Sequence, residues 1–390
     1  MTSRASTAVI ARSVPPRLLY VVTEDWYFLS HRLPMARAAR AAGFEVHVAT
    51  RVVDGAAAIQ SEGFILHPIP FVRGKISPLA ALRTIAALRR VHQKVAPALS
   101  HHVSLQCSIL GSLAAIGQPC ARINALTGFG FTYISDSLPA RILRTMFGLL
   151  LRALVNRPHA VALVQNPDDR DNLVALGIGE NHIALIPGSG VDTRALQPLP
   201  EPAGPVTIAF VGRLLDDKGI RTLLNAHRLL RRANRNINLL IAGTPDPANP
   251  ASVSNHEAEQ FGREPAVTWL GHVNDIGALW ARAHVAVLPS RREGLPKSLL
   301  EAAACGRAMV ATDVPGCREI VRPDETGLLV PVDDAPALAA AIEKLAASPA
   351  LRAKFGAAAR RLVEEKFSAD AIGRQTVDLY RRLVSVGTAQ

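Results

Sequence analysis

Aromatic residues are scarce in this 390-residue sequence, at 5%, with three tryptophans and four tyrosines. Proteins that bind single strands by stacking bases need such side chains, and neither a zinc-finger spacing nor a basic recognition helix is present, so nucleic acid is not an expected partner. Cysteine is sparse too. Cys107, Cys120, Cys305 and Cys317 form no CxxC pair, which supports neither a zinc site nor a disulfide framework and leaves four reduced core thiols. No apolar run, including those in Met1 to Pro16, is long enough for a membrane span or a secretory signal, so a cytoplasmic location is expected. Acidic residues are nearly missing from one long stretch. From Gly63 through Pro167 the only carboxylate side chain is Asp136, against Arg73, Lys75, Arg83, Arg89, Arg90, Lys94, Arg122, Arg141, Arg144, Arg152 and Arg157.

The formal net charge of +12 is therefore concentrated in the first half. Such a surface attracts polyanions or anionic lipid headgroups, at about 1 kcal/mol per basic residue near a membrane. With 49% hydrophobic and 19% charged residues, the chain is an ordinary globular sequence, long enough for two domains. Apolar runs such as Leu18 to Val22, Val46 to Ala49 and Val161 to Val164 alternate with helical patterns such as His31 to Ala42 and Pro78 to Val95. Strands interleaved with helices predict a parallel sheet covered on both faces. A Gly- and Pro-rich loop from Pro187 to Pro205 interrupts the alternation, which restarts at Val206 to Val211. Two doubly wound α/β units facing across a cleft is the expected fold, with residues 1–190 in the first domain and 191–368 in the second.

Glu293 and Glu301 bracket a predicted helix start in Glu293-Gly-Leu-Pro-Lys-Ser-Leu-Leu-Glu301. Pro296 suits the first helical position, which starts the helix near Leu295. Glu301 then lies about 8 Å along the axis at ~1.5 Å per residue, and the free N–H groups between the carboxylates favour an anion. A nucleotide-sugar has hydroxyls at both ends and phosphate between. Strand Val206 to Val211 leads into Gly212-Arg213-Leu-Leu-Asp-Asp-Lys218-Gly219, at a strand carboxyl end where doubly wound sheets bind ligands. There Gly212 permits a tight turn, and Arg213 and Lys218 supply a fork and a point charge for phosphate.

Taken together, Gly212-Arg213, Lys218-Gly219, Glu293-Gly-Leu-Pro and Glu301-Ala-Ala-Ala-Cys-Gly306 resemble the donor-binding domain of retaining glycosyltransferases of family 4. Pro187 to Asp192, Gly316 and Glu319 extend the likeness over nearly the whole second half. The resemblance implies the GT-B architecture, with residues 369–390 in a C-terminal helix that crosses back onto the first domain. It implies that Arg213 and Lys218 bind the donor diphosphate and stabilise the leaving group, and that Glu293 binds donor-sugar hydroxyls with the N–H groups of Gly294 and Leu295 nearby. Glu301 would hold the ribose hydroxyls, and the base would pack near Gly271 to Val273. No cofactor or metal is expected, the nucleotide-sugar being a substrate. The choice between front-face transfer and double displacement stays open.

In the first half, Ser30 is expected near a helix N-cap, with His31 and Arg32 in the first turn. His101-His102 and Thr127-Gly128-Phe129-Gly130 also fall at strand ends, so all three segments would line one cleft. His31, Arg32, Thr127 and Gly128 are candidate acceptor contacts, and His102 is the candidate histidine near the donor sugar. The first loop, Thr23 to Arg32, lacks the glycine pair common in the family. Ser30 to Pro34 with these segments resembles the subgroup of bacterial lipid-linked oligosaccharide N-acetylgalactosaminyltransferases and related surface-glycan enzymes. That implies a UDP-HexNAc or similar donor, an undecaprenyl-diphosphate-linked acceptor, and peripheral attachment to an anionic membrane surface. The helix Pro139 to Val155 could lie on that membrane or be buried with one polar edge. Alternatives are an enzyme with a soluble acceptor, a nucleotide-sugar epimerase, and a sugar-binding protein without catalysis.

Overall fold

The computed structural model describes residues 15–72, 77–126 and 138–387. The first domain runs β1 (Arg17–Glu24), α1 (Asp25–His31), α2 (Leu33–Ala41), β2 (Glu45–Arg51), α3 (Ala56–Ser61), β3 (Ile65–Pro68), α4 (Pro78–Val95), β4 (Leu99–Val103), α5 (Leu105–Ala114), β5 (Ala121–Ala125), α6 (Leu138–Val155), β6 (Ala160–Val164), α7 (Pro167–Ala175) and β7 (Ile183–Leu185). The second continues β8 (Val206–Val211), α8 (Ile220–Arg232), β9 (Ile237–Ala242), α9 (Asn255–Gly262), β10 (Val267–Gly271), α10 (Ile276–Ala281), β11 (Val285–Leu288), α11 (Lys297–Ala304), β12 (Ala308–Thr312), α12 (Cys317–Ile320), β13 (Gly327–Val330), α13 (Ala335–Ala346), α14 (Pro349–Leu362) and α15 (Ala369–Gly387).

The sheets have strand orders β3-β2-β1-β4-β5-β6-β7 and β10-β9-β8-β11-β12-β13, and every pairing within them is parallel. Each order reverses direction once, between β1 and β4 and between β8 and β11. At such a switch point the loops leaving two neighbouring strands diverge and open a crevice at the carboxyl edge. The central strands are buried on both faces, which is why β4, β6, β11 and β12 contain no exposed position. All four cysteines are free and buried.

Two chain crossings join the domains side by side. Val191 N–H donates to Phe367 O at 2.9 Å, and Ala369 N–H donates to Val191 O at 2.8 Å. Gly190 sits at φ +73, where a Cβ would lie 2.8 Å from Ala369 Cα, so only glycine fits between the two crossings. Beyond them α15 packs on α2, and Ile372, Leu379 and Tyr380 complete the first domain's core beside Leu18, Tyr20 and Met35. Tyr380 Oη lies 2.7 Å from Tyr20 Oη and 2.6 Å from His101 Nδ1.

Three local expectations change. Ser30 is not an N-cap: α1 already begins at Asp25, whose carboxylate accepts the N–H groups of Trp26, Val53 and Gly55. Ser30 and His31 thus end α1, and Arg32, at φ −121 and ψ −15, is the break before α2. Pro296 is the N-cap of α11 and not its first residue; at ψ 115 it is still extended, so the helix starts at Lys297. On α6, Gly148 is buried and packs close to Leu176, whereas Met146 and Leu149 are 62% and 61% exposed. The apolar side of that helix is therefore divided between core and surface, with Arg141 and Arg152 also exposed.

Candidate active site

The loops leaving β8 and β11 meet at the second domain's switch point. The β8 loop keeps Leu214 and Leu215 in the core, makes one short turn at Asp216–Lys218 and leaves through Gly219 at φ +72. A Cβ on Gly219 would lie 2.0 Å from the carbonyl oxygen of Pro289, so the two loops touch backbone to backbone. This contact brings Lys218 to the β11 loop. Lys218 Nζ donates to Glu293 Oε1 at 2.6 Å, and Ser290 Oγ donates to the same oxygen at 2.6 Å. Both bonds fall on Oε1, and neither involves Oε2. Ser290 is fixed in turn by Thr312, whose hydroxyl donates to the Ser290 carbonyl.

Arg213 is tied to a different carboxylate. Its Nη1 donates to Asp246 Oδ2 at 2.7 Å, while the side chain stays 45% exposed. Gly212 accommodates its neighbours without strain, but Gly243 cannot be replaced: at φ +134 its Cβ would meet Gly212 O at 1.8 Å. Gly271 ends β10 at φ +64 with open space around its Cα, and Val273 is half-buried against the second domain's core.

Helix α11 carries no side-chain cap at its N-terminus, so its first N–H groups remain available to an anion. Glu301 is buried in this helix, and Lys297 Nζ lies 3.2 Å from its Oε1. Burial raises the Glu301 pKa, with the Lys297 ammonium opposing that rise. Leu295 packs on Gly188 of the first domain, where a Cβ would come within 2.5 Å of Leu295 Cδ2. Asn166 Nδ2 donates to the Gly294 carbonyl at 2.7 Å across the cleft.

The first-domain candidates separate. His31 is half-buried, with its ring stacked on Tyr27 at 4.2 Å and its Nδ1 beside Ser30 Oγ. Its pKa is lowered to about 3 by burial and by the cations Lys297, Arg32 and Lys218, so a neutral imidazole faces the second domain's lysines. His102 does not face the cleft. It is fully buried, with Nδ1 at 3.0 Å from Asn124 Oδ1 and Nε2 at 2.9 Å from Ser100 Oγ, and Gly111 of α5 is so close that a Cβ would meet its ring at 2.6 Å. Burial lowers its pKa to about 3. Both ring nitrogens are engaged inside the domain, so His102 is a core histidine and cannot touch substrate. His101, the next residue along the strand, points to the opposite sheet face and bonds Tyr380. The expectation that the histidine pair lines the cleft is thus corrected. Arg32 is likewise 1% exposed; its Nη1 reaches Met35 Sδ at 3.5 Å and its Nε has no partner, so it offers no surface contact to an acceptor. Thr127 and Gly128 lie outside the described residues.

Sequence reasoning missed Ser290, Asp246, Lys297 and Asn166. Lys297 stood at helical i,i+4 spacing from Glu301, a readable signal, and Ser290 stands only three positions before Glu293; Asp246 and Asn166 are brought in by tertiary contacts alone. Among the described residues no group of three His, Cys, Asp or Glu side chains could hold a metal ion, and no helix is long and apolar enough to cross a membrane.

Comparison with known proteins adds to this geometry. Residues 192–362 match the family described as Glycosyl transferases group 1, and residues 17–165 match Glycosyl transferase 4-like. The chain is similar to the capsular polysaccharide biosynthesis glycosyltransferase CapM of Staphylococcus aureus, 26% identical over 87% of this chain and 90% of the relative. It also resembles the N,N'-diacetylbacillosaminyl-diphospho-undecaprenol alpha-1,3-N-acetylgalactosaminyltransferase of Campylobacter jejuni, 24% identical over 92% and 98%. The alpha-maltose-1-phosphate synthase of Mycolicibacterium smegmatis is 29% identical over 87% and 90%. Among solved structures, the sucrose-phosphate synthase of Thermosynechococcus elongatus shares the fold with a TM-score of 0.78 at 23% identity, covering 95% of this chain and 99% of that one. Anabaena HepE in complex with UDP-glucose does so with a TM-score of 0.76 at 16% identity, covering 94% and 100%.

Proposed function

The chain is a glycosyltransferase of the GT-B fold, and we propose that it moves a sugar from a UDP-linked donor, a UDP-HexNAc or similar, onto an undecaprenyl-diphosphate-linked glycan with retention of anomeric configuration. The observation that carries the donor assignment is the joining of Lys218, Ser290 and Glu293 at the start of an uncapped helix that also bears Glu301. In this reading Glu293 Oε2 accepts from a donor-sugar hydroxyl. The α11 N–H groups, Lys218 and Arg213 take the diphosphate, and Glu301 accepts from the ribose hydroxyls. Lys218 shifts from Glu293 alone to the charge developing on the leaving phosphate. Gly271 and Val273 border the base. The reaction uses no metal and no cofactor, since the two lysines, Arg213 and the helix start supply the positive field.

The lipid-linked acceptor is favoured by the Campylobacter relative's stated substrate and by the basic first domain, where α4 and α6 carry no acidic residue and present Leu79, Leu82, Met146 and Leu149 to solvent. Such a face suits attachment to the anionic inner surface of a membrane. The second reading, a soluble sugar-phosphate acceptor, is favoured by the maltose-1-phosphate synthase relative. Thermal shift against a panel of UDP-, GDP- and ADP-sugars identifies the donor. Transfer of that sugar to a short polyprenyl-diphosphate glycan, compared with transfer to sugar phosphates, then decides the acceptor. Turnover restricted to sugar phosphates, with no partition onto anionic vesicles at low salt, overturns the lipid-linked assignment.

A further inference from the structure

The segment Arg292–Glu293–Gly294 is gripped from two sides. Its own domain holds it through Gly316, where a Cβ would lie 2.4 Å from Gly294 O and 2.9 Å from Glu293 O. The first domain holds it from across the cleft. Asn166 Nδ2 donates to Gly294 O at 2.7 Å, and Arg292 Nη2 donates to Asp169 Oδ1 at 3.3 Å. Beside them Arg318 Nη1 donates to Asp168 Oδ1 at 3.3 Å.

The Asn166 carboxamide has one available orientation. Asn166 is fully buried, and its Oδ1 accepts the Asp169 N–H at 2.8 Å as the N-cap of α7. Nδ2 therefore faces Gly294, and it also donates to Asp169 Oδ2 at 3.0 Å. Asp169 is buried as well, which raises its pKa, while the Arg292 guanidinium pulls the other way. One side chain thus caps a first-domain helix and fixes the peptide next to Glu293. The covalent crossings lie elsewhere, at Val191 and Ser368–Ala369, so this junction is separate and noncovalent.

We propose, building on the donor-sugar role given above to Glu293, that Asn166 is a positioning residue that couples the meeting of the two domains to the geometry of the Glu293 loop. When the domains meet, the Gly294 carbonyl is captured and the Glu293–Gly294 peptide is set. When they part, the peptide loses one of its two supports. The sugar end of the donor site is then in register only while the first domain is docked, whereas the nucleotide end on Glu301 belongs to the second domain alone. Misplacement of reacting groups by about 1 Å can cost on the order of a hundredfold in rate, so a single hydrogen bond at this position suffices to gate transfer.

Asn166→Ser in the full chain tests this. Serine is a good N-cap and keeps α7, but it is too short to reach Gly294 O. We expect an unchanged melting temperature, affinity for the UDP-sugar selected by thermal shift within twofold of wild type, and kcat for UDP release at least tenfold lower. Amide hydrogen exchange in residues 291–296 should be about tenfold faster. A kcat within twofold of wild type, or a lower kcat with a lower melting temperature and unchanged exchange at 291–296, overturns the proposal. If the wild-type protein turns over no nucleotide-sugar, the functional reading fails first. The exchange comparison then decides the positioning role alone: faster exchange in the variant supports it and equal exchange overturns it.

Discussion

Lys218 and Glu293 are 75 positions apart in sequence and 2.6 Å apart in the fold. Their meeting depends on Gly219, which lets the β8 loop lie directly on the Pro289 carbonyl. The ion pair is mostly buried, so each charge relies on the other until a ligand arrives.

Removing either partner should cost more than the pair's own strength. Lys218→Ala leaves Glu293 with Ser290 alone and deletes the charge that the proposed reaction sets against the leaving group, and Glu293→Gln keeps the shape but loses the anion. Each is expected to lower kcat/KM by at least about 30-fold, roughly 2 kcal/mol of transition-state stabilisation. Steady-state UDP release measures this, and near-wild-type turnover in either variant removes the residue from the site.

Gly219→Ala tests the backbone contact that assembles the pair. The added methyl would clash with Pro289 O at 2.0 Å and force an L residue to hold φ +72. The variant should lose at least about 2 kcal/mol of stability and most donor affinity, read by chemical denaturation and by UDP-sugar titration. Full retention of affinity would mean that the two loops do not need each other.

Glu301 gives a pH dependence of known sign. Its pKa is raised by burial, and in the proposed donor complex only the ionised form accepts from both ribose hydroxyls, so donor affinity should fall as pH drops through that raised value, earlier than for an ordinary carboxylate. In the apo protein the folded state holds this proton more tightly than the unfolded chain does. Stability therefore declines as pH rises from the unfolded pKa through the folded one. Glu301→Gln should bind the donor about tenfold more weakly, near 1.4 kcal/mol, yet melt no lower without ligand at neutral pH. Thermal unfolding with and without UDP-sugar at two pH values checks both parts.

Tyr380→Phe removes a hydroxyl that touches Tyr20 and His101. Because His101 Nε2 already lacks a partner, the variant leaves the imidazole with none and should cost about 2 kcal/mol of first-domain stability, seen as a lower melting temperature with unchanged UDP-sugar affinity. An equal loss of donor affinity would mean that the two domains do not unfold independently of α15.

Much of this arrangement was readable before the fold. The apolar runs that became β1, β6 and β8 are long enough to declare buried parallel strands, and the Glu293 to Glu301 stretch declares its helix through Pro296 and the good helix formers after it. The histidine pair was not readable. Neighbouring residues on a strand point to opposite faces, and both faces of β4 are covered by helices, so nothing in Ser100 to Val103 distinguishes the cleft from the core. Ser30 misled for a related reason: an N-cap residue type stands there, but the carboxylate of Asp25, fixed by backbone groups of the distant Val53 and Gly55, starts the helix earlier. Asp246 and Asn166 act through partners 33 and 128 positions away, a separation at which local pattern carries no information.

The return of α15 to the first domain bears on the order in which this chain is made. Strands β1 to β7 leave the ribosome before the second domain, yet Ile372, Leu379 and Tyr380, which close their core, are translated only after all of that domain. The first domain must therefore wait, with an apolar face open, while the second is synthesised and folds. Truncation at Ser368 would make that waiting state permanent, and a chaperone that shields β1 and α2 would be needed most by the half that is made first.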